Sequence, residues 1–243
     1  SIKPLERTIE VDAIVLATGF SPFNPAERSE LNWGKLKGII TSFELERIII
    51  EHGKPLSPLT GSVPSSVVLV LCVGFRDEKF YKHCCKVGCL NAIKHALELR
   101  EAGSQVYVCY TDIRASERFM EEMYEEAREK GVIFIKGQPS EVKMEGEKLN
   151  VEVYDSTTEK LISIKADLVV LETGIAPNTE LSKVVGVQVG NDLFYEVKDK
   201  ILDTSSTNVE GVFLAGTSES PRTLTETIEH AKATALKVLS YLS

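Results

Sequence analysis

The chain has 243 residues, 43% hydrophobic and 26% charged, with a formal net charge of -8. At that length one or two domains bury ~70% of the unfolded surface, so neither a disulfide nor a metal is needed merely to own a core. The acidic balance, with no Lys/Arg cluster, excludes a general nucleic-acid role and leaves small molecules or proteins as partners. No apolar run reaches the roughly 18 residues that would cross a bilayer. The opening SIKPLERTIEV lacks the regions of a secretory signal, so a cytoplasmic, thiol-reducing setting is expected and disulfides are not the default.

VDAIVLATGF, residues 11–20, reads as a buried strand turning into the proline-broken loop SPFNPAE. LKGIIT follows as a strand. TSFELERIIIEHG then opens a helix, because Thr41 and Glu44 have capping-box spacing and Gly53 supplies the stop. The linker KPLSPLTGSVPSS, residues 54–66, leads to VVLVLCVGF, whose β-branched residues suit a central parallel strand. KVGCLNAIKHALELREA places Val87, Leu90, Ile93, Ala96 and Leu97 on one helical stripe.

SQVYVCYTDI is the next strand, ASERFMEEMYEEAREKG a helix with a solvated acidic face and Gly131 as its stop, and VIFIKG a third strand. Residues 66–136 therefore form a βαβαβ unit with a parallel sheet. SEVKME, KLNVEVYD and KLISIKA read as an antiparallel meander, and ADLVVLETG as a returning buried strand. The tail is a strand, GVFLAG, then a long helix with apolar residues at Ile228, Ala231, Ala235, Leu236 and Leu239.

The fold class is thus α/β. Strand ends at Thr18-Gly19, Thr173-Gly174 and Ala215-Gly216 are of the kind that approaches a nucleotide cofactor, or are ordinary strand-to-loop glycines. A dinucleotide site needs G-x-G-x-x-G between strand and helix, since only glycine lets backbone close on pyrophosphate. The chain contains no such string; VVLVL runs instead into Cys72-Val73-Gly74-Phe75-Arg76. Nicotinamide binding is not expected there, and a fragment or separately made half is.

Four of the five cysteines, Cys72, Cys84, Cys85 and Cys89, form C-x11-C-C-x3-C. Four thiolates can close around zinc or hold an iron-sulfur cluster; redox thiols and packing cysteines are the alternatives. Arg76, Lys79, Lys82, His83 and Lys86 would lower thiol pKa values, or form a solvated basic loop. Cys109, inside VYVCY, reads as a core residue, and His83 and His95 as hydrogen-bonded rather than ligating.

CVGFRDE, KVGCLNAIKHA, TDIRA, GVIFIKGQPSEV, ADLVVLETGIAPN and GVFLAGTSESPRTLTETIEHA resemble, in order, segments of the A subunit of heterodisulfide reductase. That family comprises FAD-containing iron-sulfur flavoproteins of methane-forming and other anaerobic prokaryotes, with a thioredoxin-reductase-like core. The resemblance implies a two-domain FAD/NAD(P)-binding-like fold: residues 1–40 and 175–243 as a partial FAD domain, and 41–174 as a NAD-like βαβ domain carrying the cysteines.

It further implies a 4Fe-4S cluster on the cysteines, near the flavin. Cys72 and Cys89 match the family pattern; Gly88 stands where the family has the first cysteine of a doublet, and of Cys84 and Cys85 one corresponds to the family ligand and the other to the substitute, the resemblance not fixing which. Thr18, Gly19, Gly216, Thr217, Pro221, Thr225 and Thr227 map to FAD-facing segments, with the amides of the last helix toward the flavin. Thr217 stands where many related flavoproteins carry aspartate. The implied function is electron transfer between FAD and iron-sulfur clusters. The disulfide would be reduced on a partner subunit, with other heterodisulfide reductase subunits and an electron-donor protein as partners and a homodimer compatible with them. A zinc- or thiol-stabilised assembly module and a free-standing thiol oxidoreductase are the alternatives.

Overall fold

A computed structural model of the chain describes residues 7–243; the first six residues of the stretch read for a targeting signal lie outside the described residues. The chain divides into two compact units, one running through Ser21 and resuming over Pro177–Ser243, the other Pro22–Ala176. In chain order the elements begin with β1 (Ile14–Leu16) and β2 (Phe20–Ser21) of the smaller unit. The larger unit follows with β3 (Ile39–Thr41), α1 (Ser42–His52), β4 (Ser66–Val70), α2 (Gly88–Glu101) and β5 (Gln105–Tyr110). It continues through α3 (Met120–Glu129), β6 (Ile133–Lys136), β7 (Pro139–Glu145), β8 (Lys148–Asp155), β9 (Lys160–Ala166) and β10 (Leu168–Leu171). After β11 (Ala176–Pro177) the smaller unit ends with α4 (Ser182–Val185), β12 (Val212–Leu214) and α5 (Leu224–Leu242).

The larger unit is a five-stranded parallel sheet in the order β3-β10-β4-β5-β6. The β-branched run of β4 lies at its centre with Val67, Val68 and Leu69 wholly buried, as a strand covered on both faces requires. Side chains alternate between the faces. Val67 and Leu69 pack with Ala92, Ile93, Ala96 and Leu99 of α2, while Val68 and Val70 pack with Val142, Leu149, Val151 and Val153 of the antiparallel meander β7-β8-β9. At the head of β10, Asp167 accepts from the backbone of Ser65 (2.9 Å) and Ser66 (3.1 Å), tying that strand's start to the start of β4.

The caps of α1 are as its sequence demands. Thr41 Oγ1 accepts from the Glu44 amide, Glu44 returns a bond to the Thr41 amide at 2.6 Å, and Gly53 is left-handed at φ +68°. Other expectations shift. The compact unit begins at Pro22, and β3 belongs to its sheet, where the sequence placed the border at residue 40. On α2 the buried stripe is Cys89, Ala92, Ile93, Ala96 and Leu99, with Leu90 and Leu97 only partly covered. The acidic helix starts at Met120, five residues into the expected segment, because Phe119 is left-handed at φ +66°.

The smaller unit pairs β1 with β12 in parallel, Ile14 opposite Val212 and Leu16 opposite Leu214. Its core gathers Leu16, Val187, Tyr195, Val197, Val212 and Leu214. Only Leu16 of β1 is buried; Ile14 and Val15 are 40% and 46% exposed, contrary to the reading of a buried strand. The expected apolar stripe of α5 is likewise exposed at Ile228, Leu236 and Leu239, and the helix buries His230 and Thr234 instead. Among the described residues no helix is long and apolar enough to cross a membrane.

Candidate functional site

β4 has β10 on one side and β5 on the other, and the chain leaves β4 toward β5 and returns to it as β10. Strand order thus reverses at β4, and the carboxyl ends of these strands frame the crevice where open α/β sheets bind ligands. Cys72 lies just beyond β4, Glu172-Thr173-Gly174 beyond β10, and Thr111-Asp112 beyond β5. The loop from Cys72 to Val87 crosses this end of the sheet before α2 starts, uncapped by any side chain, at Gly88.

Hydrogen bonds close the loop on the strand ends. The Val73 amide donates to the Glu172 carbonyl (3.2 Å), Arg76 Nη2 to Asp112 (2.6 Å), and Cys89 Sγ to the Asp112 carbonyl (3.7 Å). Cys72, Arg76 and Lys86 have left-handed φ values of 59°, 56° and 67°, a concentration of backbone strain that marks ligand loops. Two glycines make the turn feasible. A Cβ on Gly74 would lie 2.3 Å from the Phe23 ring, and one on Gly174 would lie 2.4 Å from Cys85 Cβ.

The four sequence-predicted cysteines are brought together, each lying within electrostatic reach of others in the set. Burial pushes the Cys72 thiol up to about 11, with the neighbouring Cys89 adding to it. Burial likewise raises Cys89. The pair Cys84 and Cys85 is split: the Cys85 S–H donates to Cys84, lowering Cys84 and raising Cys85. Arg114 and Arg76 and the amide of Lys86 (3.4 Å) also favour the Cys84 thiolate. Cys109 lies apart in β5, wholly buried and pushed up to about 12.

The expected basic ring thins at Lys79 and Lys82, which are exposed, while Lys86 stays half-buried. Lys82 pairs with Glu78 at 2.6 Å with both side chains mostly exposed, and His83 packs edge-on against Phe75. Arg76 is the cation held inward, and its Nη1, with Glu172 Oε1 and Thr173 Oγ1, is buried without a hydrogen-bond partner among the described residues. Such orphaned groups are rare in folded chains and ask for a missing partner.

The donor set fits a thiolate-ligated cluster. Soft sulfur selects zinc or iron-sulfur, and a bound metal deprotonates raised thiols outright. A tetrahedral zinc with sulfur at about 2.3 Å would hold its ligands about 3.8 Å apart. Among the described residues the only His/Cys/Asp/Glu set with ligand atoms all within 4.8 Å is Glu46, His95 and Glu98, so the thiols stand wider than one zinc requires. Lys94 already fills that acidic set, 2.6 Å from Glu46 and 3.3 Å from Glu98.

In the smaller unit the flavin-facing candidates converge in part. The Thr18 amide donates to Ser218 Oγ (3.0 Å) and its hydroxyl to the Asn178 carbonyl (2.9 Å). Gly19 and Gly216 are both left-handed at φ +68°, with open space where a Gly19 Cβ would be, a geometry that suits close approach of a ligand. Thr217 is buried, Pro221 and Thr227 are half-buried, and Thr225 is exposed on the first turn of α5. The amides expected to be free there are partly used: Thr223 caps the Glu226 amide and Glu226 returns to Thr223 at 3.0 Å.

Sequence reasoning missed His230, whose Nδ1 accepts from the Gly216 amide (3.0 Å) while Nε2 donates to the Thr204 carbonyl (2.9 Å). It also missed Asp112 and Arg114, and met Glu172 only as part of the strand end Glu172-Thr173-Gly174. Asp112 and Arg114 stand just past a strand, where ligand groups of α/β sheets concentrate. His230 gave no signal beyond its place in a helical repeat.

The architecture is that of a thioredoxin-reductase-like FAD/NAD(P)-binding protein: a solved thioredoxin reductase of T. acidophilum superposes with a TM-score of 0.62 at 20% identity, over 94% of this chain and 65% of that one. Residues 3–235 match the family model for pyridine nucleotide-disulphide oxidoreductases, and the chain belongs to that family, whose membership implies FAD binding. It is 34% identical over 249 residues to the A subunit of the H(2)/formate:CoB-CoM heterodisulfide,ferredoxin reductase of Methanococcus maripaludis, covering 97% of this chain and 38% of the relative. The iron-sulfur A subunit of the CoB--CoM heterodisulfide reductase of Methanocaldococcus jannaschii is also 34% identical, with the same coverage. The A subunit of the Methanosarcina mazei Ferredoxin:CoB-CoM heterodisulfide reductase is 32% identical over 99% of this chain and 32% of its own length. The chain thus spans well under half the length of these relatives.

Proposed function

We propose that this chain is an electron-transferring part of a heterodisulfide-reductase-type flavoprotein, in which Cys72, Cys84, Cys85 and Cys89 hold a 4Fe-4S cluster. The smaller unit would serve FAD through Thr18, Gly19, Gly216, Thr217, Pro221, Thr225 and Thr227, and the larger unit the cluster. The observation that carries this reading is the replacement of a pyrophosphate-binding loop by thiols at the strand-order switch, with Arg76 beside them, paired with Asp112 through Nη2 and leaving Nη1 buried without a hydrogen bond among the described residues.

When bound, the cluster supplies one-electron chemistry and the flavin exchanges electron pairs. The chain's residues set the conditions. Arg76 and Arg114 offset anionic charge at the thiols, the Lys86 amide donates to sulfur, and the packing of Phe23 over Gly74 excludes water. With Cys72 and Cys89, both Cys84 and Cys85 would be needed to complete a four-thiolate set. Partners would be further reductase subunits and an electron-donor protein of the cytoplasm, and the disulfide would be reduced elsewhere in the complex.

The Cys84–Cys85 bond also favours a second reading, a free-standing thiol oxidoreductase, since it lowers one thiol at a half-buried position. Anaerobic purification with a visible spectrum and iron, sulfide, zinc and flavin assays separates the readings. Brown protein with iron and acid-labile sulfide is expected. Colourless protein with stoichiometric zinc, or metal-free protein with one fast-alkylating thiol, would overturn the cluster.

A further inference from the structure

Behind the cysteine loop a buried acid and imidazole face each other. Glu172, at the carboxyl end of β10, is 1% exposed, and His95, on α2, is 3% exposed. His95 Nδ1 lies 3.7 Å from Glu172 Oε1, an ion-pair distance just beyond a hydrogen bond, and neither atom has a hydrogen-bond partner among the described residues. On its other side His95 Nε2 meets Glu46 of α1 at 2.9 Å. Glu46 lines a groove of about 220 Å³ together with Ser42, Phe43, Asn91, Lys94 and His95, room for several waters at ~30 Å³ each.

The inner end reaches the cysteines. The Glu172 carbonyl holds the Val73 amide, a Cβ on Gly88 would lie 3.8 Å from Glu172 Cβ, and the Glu172 charge contributes to raising the Cys89 thiol. A carboxylate-imidazole-carboxylate chain therefore runs from the loop to solvent through three elements, with Lys94 and Glu98 the other charged groups at its outer end. Two carboxylates on two ring nitrogens suit an imidazole that can hold either proton. A purely structural pin would need only one of them.

We propose that His95 is a proton relay: it takes a proton from groove water at Glu46 through Nε2 and yields one through Nδ1 to Glu172, so that negative charge arriving at the cysteine loop is balanced by proton uptake. The step breaks one N–H and forms one O–H, then re-forms the N–H from water. Per turn, one electron from a one-electron donor and one solvent proton enter. His95 acts here as a positioning residue, and the proposal rests on the reading that the thiols hold a redox centre. Burial opposes a charge on His95, but Glu172 and Glu46 outweigh it, so the imidazole titrates above its ordinary value.

The test is a dithionite redox titration of anaerobically purified protein between about pH 6 and 8, with iron assayed on the same samples. Wild type should shift its reduction equilibrium about tenfold per pH unit, about 59 mV for one electron. His95→Gln, Glu172→Gln and the solvent-side Glu46→Gln should keep their iron and flatten that slope. Wild-type slopes in iron-replete His95→Gln and Glu46→Gln would overturn the relay. Nitrogen-15 NMR of His95 reads the relay without a cluster: Glu172→Gln should lower its acid midpoint and Glu46→Gln should slow exchange of its ring protons. No change in either overturns the relay, whereas protein lacking iron but showing both changes defeats the cluster reading while leaving the coupling of His95 to Glu172 and Glu46 established.

Discussion

The loop after β4 and the loop after β12 each connect a parallel strand to a long helix, and they are finished in opposite ways. Before α5, Thr223 and Glu226 satisfy one another, Ser218 binds Thr18 and Ala215, and His230 takes the Gly216 amide. Before α2 there is no side-chain cap and three non-glycine residues are left-handed; each loop keeps one buried arginine nitrogen unpaired among the described residues, Arg76 Nη1 here and Arg222 Nε before α5. One loop largely completes itself with its own polar groups. The other gathers four thiols under a strained, uncapped turn, an arrangement that its own polar groups do not explain.

The sharpest way to break that contrast is to crowd the two loops in turn. Gly174→Ala combines a positive φ with a Cβ 2.4 Å from Cys85 Cβ and should cost about 3 kcal/mol or more, lowering Tm by roughly 6–12 °C and removing the iron. Gly19→Ala meets nothing within 4 Å, so calorimetry should show only the left-handed strain of about 1–2 kcal/mol. Next in size is His230→Ala, which orphans the Gly216 amide and the Thr204 carbonyl. Urea unfolding should register a loss of about 2 kcal/mol with iron content unchanged.

A smaller effect distinguishes the sheet's framework from its site. Burial alone would raise the Asp167 carboxyl, but bonds from Ser65, Lys148 and Ser66 hold it below the usual carboxylate range. Because the folded value is depressed, this stabilisation is present above the unfolded value near ~3.9 and is lost as pH falls through the folded one. Asp167→Asn should therefore lower Tm at neutral pH and flatten its acid decline, leaving the visible spectrum alone. Smallest of all, Lys82→Gln removes an exposed pair with Glu78 and should change stability by less than about 0.5 kcal/mol; a large loss of iron would restore the wider basic ring.

Much of the larger unit was legible in the chain because its signals are local. Thr41, Glu44 and Gly53 bound α1 with no help from tertiary contacts, and the apolar run at β4 fits only a strand covered on both faces. Cys72, Cys84, Cys85 and Cys89 stood out by residue type alone. Glu172 did not, since a single acid after VVL shows its burial only when β10 is placed beside β4. The stripe on α5 misled because helical periodicity reports an apolar face without saying what covers it; Ile228, Leu236 and Leu239 are exposed, and the buried face carries His230 and Thr234 through hydrogen bonds.

The most direct test is iron and acid-labile sulfide per chain in anaerobically prepared wild type, Cys72→Ser, Cys89→Ser and Cys109→Ser, with circular dichroism as the folding control. About four of each are expected for wild type and Cys109→Ser, and a loss of both in folded Cys72→Ser and Cys89→Ser. Full iron in either of those two, or its loss in Cys109→Ser alone, would contradict the assignment of the loop after β4 as the cluster site.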